Sequence, residues 1–134
     1  MSQENVEIVL RALDSINRGD IDAALEAAAA DYEMDWSNSI GPLKGVHRGR
    51  EEVVKFWLSF LDAFDSLHWI PEEIIDIDES RLIVVNHVRM RGRSSGVQVE
   101  GRGAQLWTFR DGKARSIKLF QSKAEALEAA GLRE

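Results

Sequence analysis

The sequence contains no cysteine, so neither a disulfide bond nor a thiolate metal site can stabilise the fold. A cysteine-free composition fits a reducing compartment, and we expect a cytoplasmic protein. The N-terminal sequence MSQENVEIVL lacks a basic segment followed by a long apolar run. No stretch approaches the roughly 18 apolar residues of a membrane-spanning helix. We therefore expect a soluble protein without a secretory leader or a membrane span.

Positive charge is scarce, because 17 basic side chains stand against 23 acidic ones and give a net charge of -6. An acidic surface repels phosphates, which argues against binding of nucleic acid or of an anionic membrane. The exception is a short arginine cluster at Arg89, Arg91 and Arg93. A chain of 134 residues forms one domain that buries roughly two-thirds of its unfolded surface, and no linker or repeat divides residues 1–134.

Helical periodicity dominates the first half of the chain. Apolar residues from Val6 to Ile16 recur every three or four positions, and the segment has Ser2 as a cap and Gly19 as a stop signal. Asp20 caps a predicted second helix that runs through Ala28, and a strand follows from Tyr32 to Trp36. After a loop over residues 41–49, residues 50–64 form a third predicted helix with acids in its first turn and a heavily apolar face.

From residue 67 the apolar period changes to two. The segments LHWIPEEIIDID, RLIVVNHVRMR, VQVEGRGAQLWTF and KARSIKLFQ are separated by the turn sequences DES, GRSSG and RDG. They predict four successive antiparallel strands. Ser122 and Glu125 then form a capping box for a short helix that Gly131 ends. Helices segregated from an antiparallel sheet make an α+β domain.

This order of elements resembles the SnoaL-like branch of the nuclear transport factor 2-like superfamily. The resemblance rests on NRGDIDAALE, GVHRGREEVVKFW, AQLWTFRDGKA and EALEAAGL and covers nearly the full chain. It implies a cone-shaped, curved antiparallel sheet wrapped around the N-terminal helices, as in cystatin-like folds. It further implies a pocket at the wide end and often a dimer through the sheet. Relatives include polyketide cyclases, ketosteroid isomerases and proteins without known activity, so the resemblance specifies the fold better than the chemistry.

Strand parity predicts which side chains line such a pocket. If the hairpin pairs Arg93 with Gln98, the inner face of the last three strands is mostly apolar and the outer face is charged. The predicted inner residues are Val84, Asn86, Val88, Met90, Gln105, Trp107, Ile117, Leu119 and Gln121. In this register Asn86 lies beside Gln105, so the two amides can hold a ligand carbonyl or bond to each other. Gly101 and Gly103 indicate sharp curvature or open space above the sheet.

Two residues are candidate catalytic groups. Asp35 lies between the apolar residues Met34 and Trp36, so alternation points its carboxylate outward unless a bulge turns it into the pocket. His47 lies in a predicted loop that the resemblance places at the pocket mouth, and a histidine titrates near neutral pH. Counted from the turn at Gly19 and Asp20, the general base of the ketosteroid isomerases falls at Trp36. Their oxyanion tyrosine falls at Ala12 and their protonated aspartate at Gln105, so none of the three groups is retained.

Two functions remain open at this stage. The first is a ligand-binding domain with an apolar pocket, in which Trp36, Trp57 and Trp107 contact a hydrophobic small molecule and Asn86 and Gln105 supply polar contacts. The second is a cyclase- or isomerase-like enzyme that uses Asp35 or His47 to move a proton on a carbonyl compound. The three histidines have no metal-ligand spacing, so we expect no metal and no cofactor. Outward Leu106 and Phe120 favour a homodimer through the outer face.

Overall fold

In the part of the chain that the structure describes, the fold combines four helices with one six-stranded sheet. A computed structural model describes residues 3–38 and 45–132. In chain order the elements are α1 (Gln3–Asn17), α2 (Ile21–Ala24), β1 (Ala28–Asp35), β2 (Val46–Arg48), α3 (Gly49–Ala63), β3 (Phe64–Asp78), β4 (Arg81–Gly92), β5 (Gln98–Arg110), β6 (Lys113–Phe120) and α4 (Lys123–Ala129). The predicted α+β class is confirmed.

The sheet is curved and mixed. Its strand order is β2-β1-β6-β5-β4-β3. The four predicted strands β3 to β6 pair antiparallel as expected, but β1 runs parallel to β6. The expected antiparallel sheet is therefore corrected at this one ladder. Apolar alternation gives the face of a strand but not its direction, and no hairpin joins β1 to β6, so the sequence carried no signal for a parallel pair.

The hairpin between β4 and β5 is longer than expected. Arg91, rather than Arg93, is the register partner of Gln98. The backbone N–H of Gly92 donates to the carbonyl oxygen of Val97 at 2.9 Å and closes this longer turn. A shift of two residues leaves every side chain on its predicted face. It does move Asn86 opposite Gly103, so Asn86 and Gln105 are not directly paired as predicted.

The first two helices differ in how well the sequence predicted them. In α1 the side chains of Val9, Leu13 and Ile16 are buried, as its periodicity predicts. The predicted cap Ser2 lies outside the described residues. The predicted helix through Ala28 is wrong, since α2 ends at Ala24 and Ala28 begins β1. The guanidinium of Arg50 donates to the carbonyl oxygens of Leu25 and Ala28, and a sheet contact follows at once, so tertiary bonds override the helix propensity of the alanines.

The two faces of the sheet carry different layers. On the inner face, α1 and α3 bury a core that includes Val53, Phe56, Met34 and Leu82. On the outer face, α4 packs over Ile83, Ala104 and Phe120. The hydroxyl of Ser122 accepts from the backbone N–H of Glu125 at 3.2 Å, which confirms the predicted cap. Because α4 buries Phe120 and partly covers Leu106, the outer face offers less apolar area to a dimer than expected.

Candidate functional site

An open cavity of about 300 Å³ lies on the inner face, toward the β4–β5 hairpin. Its apolar lining includes Trp36, Phe60, Phe64, Trp69, Val88, Met90, Val99 and Leu119. Gln121 is a polar member of the wall, while Glu100 and Arg102 also border the space. The aromatic side chains make this a surface for a flat, apolar molecule.

Two glycines of β5 explain why the cavity opens here. A Cβ atom added at Gly101 would meet no atom within 4 Å, so the missing side chain leaves open space above the sheet. A Cβ at Gly103 would lie 3.2 Å from the carbonyl oxygen of Phe120, so this glycine permits a close strand approach. Both glycines border the cavity. The expected open space is therefore found at Gly101, whereas Gly103 lies close to the backbone of β6.

Three tryptophans, Trp36, Trp57 and Trp69, pack together between the open cavity and a narrow inner space. The ring centroids of Trp36 and Trp57 lie 6.3 Å apart, and each lies 5.8 Å from that of Trp69. All three pairs meet edge to face, the geometry that aromatic quadrupoles favour. Trp69 borders both the open cavity and a narrow inner space of about 30 Å³. That inner space has about the volume of one water molecule.

The predicted ligand contacts separate into two groups. Trp36 borders the open cavity, whereas Trp57, Gln105 and Trp107 border the narrow inner space together with Tyr32. Asn86 borders neither and is only 1% exposed. Burial raises the pKa of Tyr32, so its phenol stays neutral. The structure thus places Trp36 and Trp57 in ring contact and Trp57 and Trp107 at the inner space, and of these three tryptophans only Trp36 borders the larger space.

The two inner-face amides have different surroundings. The indole Nε1 of Trp107 donates to Oε1 of Gln105 at 3.1 Å, so that amide oxygen is satisfied inside the core. Oδ1 of Asn86 is buried and has no hydrogen-bond partner within residues 3–38 and 45–132. Of the two alternatives that the sequence leaves open, the bond between the two amides does not form in the described part of the chain. The amide oxygen of Gln105 accepts a hydrogen bond from Trp107, whereas the amide oxygen of Asn86 accepts none from the described residues.

Asp35 lies on the outer face, as alternation predicted. Its carboxylate accepts from the backbone N–H of Ser37 at 3.0 Å and from the Ser37 hydroxyl, and it lies 3.7 Å from Nζ of Lys118. Burial raises the pKa of Asp35, but the Ser37 bonds and the Lys118 charge outweigh that effect and hold the pKa below its usual value. An ionised aspartate paired in this way is not placed to exchange protons with a ligand in the cavity.

His47 lies in strand β2 rather than in a loop, which corrects the expected element. Its register partner on β1 is Met34, and its ring centroid lies 4.7 Å from that of Phe56 on α3. Neither the open cavity nor the inner space is bordered by this histidine. The two candidate catalytic residues therefore do not converge on the larger space.

The charged residues at the cavity border pair on the outer face. Glu100 contacts Nε2 of His87 at 2.8 Å, and Nε of Arg102 donates to Glu72 at 2.8 Å. The hydrogen bond from Arg102 lowers the pKa of Glu72. No group of three metal-ligating side chains occurs in the described part of the chain.

Sequence reasoning missed Trp69 and the residue that positions it. Trp69 alternates with His68 and Ile70, and the same parity rule that identified Trp107 identifies it as an inner residue. Asn17 at the end of α1 accepts from the backbone N–H of Trp69 at 2.7 Å and donates to its carbonyl oxygen at 3.0 Å. No local pattern predicts this contact, because 52 residues separate the partners.

Comparisons with known proteins agree with this architecture. A family model described as a SnoaL-like domain matches residues 9–117. No curated protein matches the chain. None of the helices in the described residues is both long and apolar enough to cross a membrane.

Solved structures share the fold over almost the whole chain. TerC co-crystallised with polyporic acid is 21% identical, with a TM-score of 0.79 and coverage of 94% of this chain and 97% of TerC. A putative polyketide cyclase from Xanthomonas campestris is 21% identical, with a TM-score of 0.78 and coverage of 92% and 93%. Rv0760c from Mycobacterium tuberculosis, in complex with estradiol-17beta-hemisuccinate, is 15% identical, with a TM-score of 0.77 and coverage of 90% and 95%. At these identities the likeness shows the fold alone.

Proposed function

The chain belongs to the SnoaL-like domain family, and we propose that it binds a small, flat, apolar molecule in the open cavity of the inner face. The observation that carries the proposal is the cavity of about 300 Å³ walled by Trp36, Phe60, Phe64 and Trp69. Ligand sites of proteins typically begin at about this volume and are lined mainly by apolar and aromatic side chains. Two structures of the same fold, TerC and Rv0760c, hold polyporic acid and an estradiol ester, which supports a ring-containing ligand.

We propose binding without proton transfer, because neither candidate catalytic residue, Asp35 or His47, borders the cavity. A general acid or base must come within hydrogen-bond reach of the reacting atom, directly or through one water. Asp35 is paired with Lys118 on the outer face, and His47 packs on Phe56 outside the cavity border. The alternative of cyclase or isomerase chemistry by these two residues therefore has no observation in its favour beyond a related fold.

Filling the cavity from its floor tests the proposal. Gly101→Val points a branched side chain into the open space, where a Cβ meets no atom within 4 Å, so the fold should tolerate it. Gln98→Val is the matched control, because it places the same side chain on the exposed outer face of the same strand. The probe is N-phenyl-1-naphthylamine, a neutral amine with three aromatic rings whose fluorescence rises in apolar surroundings.

We expect the unmodified protein and Gln98→Val to bind the probe equally. Gly101→Val should weaken binding at least about tenfold, because even one misfitting methylene in an apolar pocket costs about 10- to 200-fold. Circular dichroism checks that both variants fold. No fluorescence rise with the unmodified protein, or equal affinity of Gly101→Val and Gln98→Val, would contradict ligand binding in this cavity.

A homodimer through the outer face is the proposed assembly. Outside the area covered by α4, this face carries Ile70, which is 39% exposed, beside the ion pairs of Glu72 with Arg102 and of His87 with Glu100. A mixed apolar and charged surface suits a self-complementary contact. The cytoplasmic location stays a prediction.

A further inference from the structure

Strand β5 has a free backbone edge beside the open cavity. Its ladder with β6 ends at the pair of Ala104 and Phe120, and the chain then turns into α4. Within residues 3–38 and 45–132, residues 98–103 therefore have a strand partner only on the side of β4. Residues 99–103 border the cavity, and so do Phe120 and its two neighbours in sequence. The cavity thus extends into the gap that β6 leaves beside β5.

The hydrogen-bond pattern identifies the backbone groups that face this gap. In an antiparallel ladder the residues of a strand alternate, and each bonded residue directs both its N–H and its C=O toward the same neighbouring strand. At one end of the β4–β5 ladder, the N–H of Gly92 donates to the carbonyl oxygen of Val97 at 2.9 Å. At the other end, the N–H of Phe109 donates to the carbonyl oxygen of Ser80 at 2.8 Å. The odd-numbered residues of β5 therefore bond to β4, and the N–H and C=O of Arg102 point into the gap.

This direction explains why Arg102 borders an inner cavity although its side chain lies on the outer face. Its guanidinium pairs there with Glu72, so the backbone is the part of Arg102 that reaches the cavity. The residues on either side are Gly101 and Gly103, so no adjacent side chain on the inner face covers this backbone. Arg102 is exposed, and no backbone group in the described part of the chain bonds to its N–H or C=O. Both groups are accessible to a ligand.

A donor and an acceptor on one residue require a ligand group with the complementary pair. A backbone N–H donates one hydrogen bond and a backbone C=O accepts. A cis-amide in a ring has both complements on one edge, because its C=O lies beside its N–H. A lactone offers the carbonyl oxygen alone, and a hydrocarbon offers neither group. The aromatic side chains of the cavity suit the flat face of such a ring.

We propose that the ligand of the cavity is a flat ring molecule with a cis-amide on one edge. Its carbonyl oxygen accepts from the backbone N–H of Arg102, and its N–H donates to the backbone carbonyl oxygen of Arg102. This inference rests on the proposed ligand-binding function and specifies the chemical class of its ligand. The ring contacts the aromatic side chains that line the cavity, and the amide edge occupies the gap beyond the end of β6.

The first experiment compares 2-quinolinone with coumarin, two bicyclic probes of nearly equal shape. Both carry the carbonyl group, but 2-quinolinone has a ring N–H where coumarin has a ring oxygen. Their affinities are measured by displacement of N-phenyl-1-naphthylamine from the unmodified protein. We expect 2-quinolinone to bind about tenfold more tightly, the effect of one net hydrogen bond. Without a partner the N–H would lose its bonds to water, and coumarin would bind at least as tightly.

The second experiment removes the backbone donor. Arg102→Pro deletes the N–H that points away from β4, and proline is tolerated at such positions of an edge. Arg102→Ala is the reference, because it removes the same side chain but keeps the N–H. Relative to this reference, Arg102→Pro should weaken 2-quinolinone and coumarin about three- to tenfold, because both use the carbonyl bond. Naphthalene has no carbonyl, so its affinity should be equal in the two variants.

Gln98→Pro is the matched control. It makes the same backbone change at another even-numbered residue of β5, which does not border the cavity, so the affinities of all three probes should stay unchanged. Circular dichroism checks that the variants fold. If Arg102→Pro does not fold, the comparison of 2-quinolinone with coumarin decides the question alone.

The outcomes separate this inference from the proposed function. Coumarin binding as tightly as 2-quinolinone would overturn the amide edge while leaving ligand binding in place. Equal affinities of Arg102→Pro and Arg102→Ala for 2-quinolinone would do the same. An equal loss for naphthalene would also overturn it, because it would indicate a changed cavity rather than a lost bond. Failure of all three probes and of N-phenyl-1-naphthylamine to bind would overturn both proposals.

Discussion

Replacing Asn17 by alanine tests how α1 positions Trp69 in the cavity wall. Strand β3 is an edge of the sheet, so the backbone groups of Trp69 that face away from β4 have no strand partner. Asn17 takes that place with two bonds, accepting from Trp69 N at 2.7 Å and donating to Trp69 O at 3.0 Å. Asn17→Ala removes both bonds without adding bulk.

The expected loss follows from the two bonds. Each contributes about 0.5 to 1.5 kcal/mol net, so their removal costs about 1 to 3 kcal/mol. Alanine returns up to roughly 0.5 kcal/mol through its higher helix propensity. The net loss of unfolding free energy is therefore about 0.5 to 3 kcal/mol. For a loss near 1.5 kcal/mol, a domain of this size should melt roughly 5 °C lower.

Urea unfolding followed by circular dichroism measures this loss. Gln3→Ala is the control, because it removes an exposed amide from the same helix, and this amide donates to Glu7 at the long distance of 3.5 Å. We expect the Asn17→Ala midpoint to fall clearly below the Gln3→Ala midpoint with an unchanged slope. Affinity for N-phenyl-1-naphthylamine should fall as well, since Trp69 loses its anchor. Equal midpoints for the two variants would refute the anchoring role of Asn17.

Three further expectations concern Asp35, the glycine pair and the assembly. The pKa of Asp35 is lowered in the folded state, so its ionised form stabilises the fold above the unfolded value of about 3.9 and loses that effect as pH falls through the folded value. Asp35→Asn should thus lower the unfolding free energy at pH 7 and reduce its fall at acid pH. The affinity for N-phenyl-1-naphthylamine should stay unchanged, and a large loss of affinity would contradict the outward position of Asp35. Gly101→Ala should raise the unfolding free energy by about 0.5 to 1 kcal/mol in thermal unfolding, because alanine loses less backbone entropy in a strand than glycine does. Gly103→Ala should be less stable than Gly101→Ala, because its Cβ crowds the carbonyl oxygen of Phe120. The opposite order of stability would contradict open space at Gly101 and close packing at Gly103. Sedimentation at micromolar concentration should give about twice the chain mass of 15.1 kDa, and a single-chain mass would contradict the dimer.

The sequence predicted the architecture well where local patterns carry it. Alternation in β4 and β5 identified the inner residues correctly even though the assumed register was off by two, because an even shift preserves the faces. The length of helix α2 was overestimated, because the alanines after Asp20 have high helix propensity. The bonds from Arg50 that end this segment come from a residue 22 or more positions away.

The candidate site was predicted less completely. The sequence placed Trp36, Trp57, Gln105 and Trp107 at one pocket, but Trp36 borders the larger space and the other three border a second, narrower one. The division arises because Trp69 packs between them, with its ring 5.8 Å from those of Trp36 and Trp57. Parity assigns a residue to a face, but only the curvature of the sheet decides which residues of that face meet.

The most direct test of ligand binding in the open cavity is a proton–nitrogen correlation spectrum recorded during titration with N-phenyl-1-naphthylamine. The chain has four tryptophans, so it should give four indole N–H signals, which single Trp→Phe variants assign. We predict large shifts for Trp36 and Trp69, which border the cavity, and a much smaller shift for Trp107, whose Nε1 is held by Gln105. Indole signals that stay unchanged at saturating probe, or a shift largest at Trp107, would contradict the proposal that this cavity is the binding site.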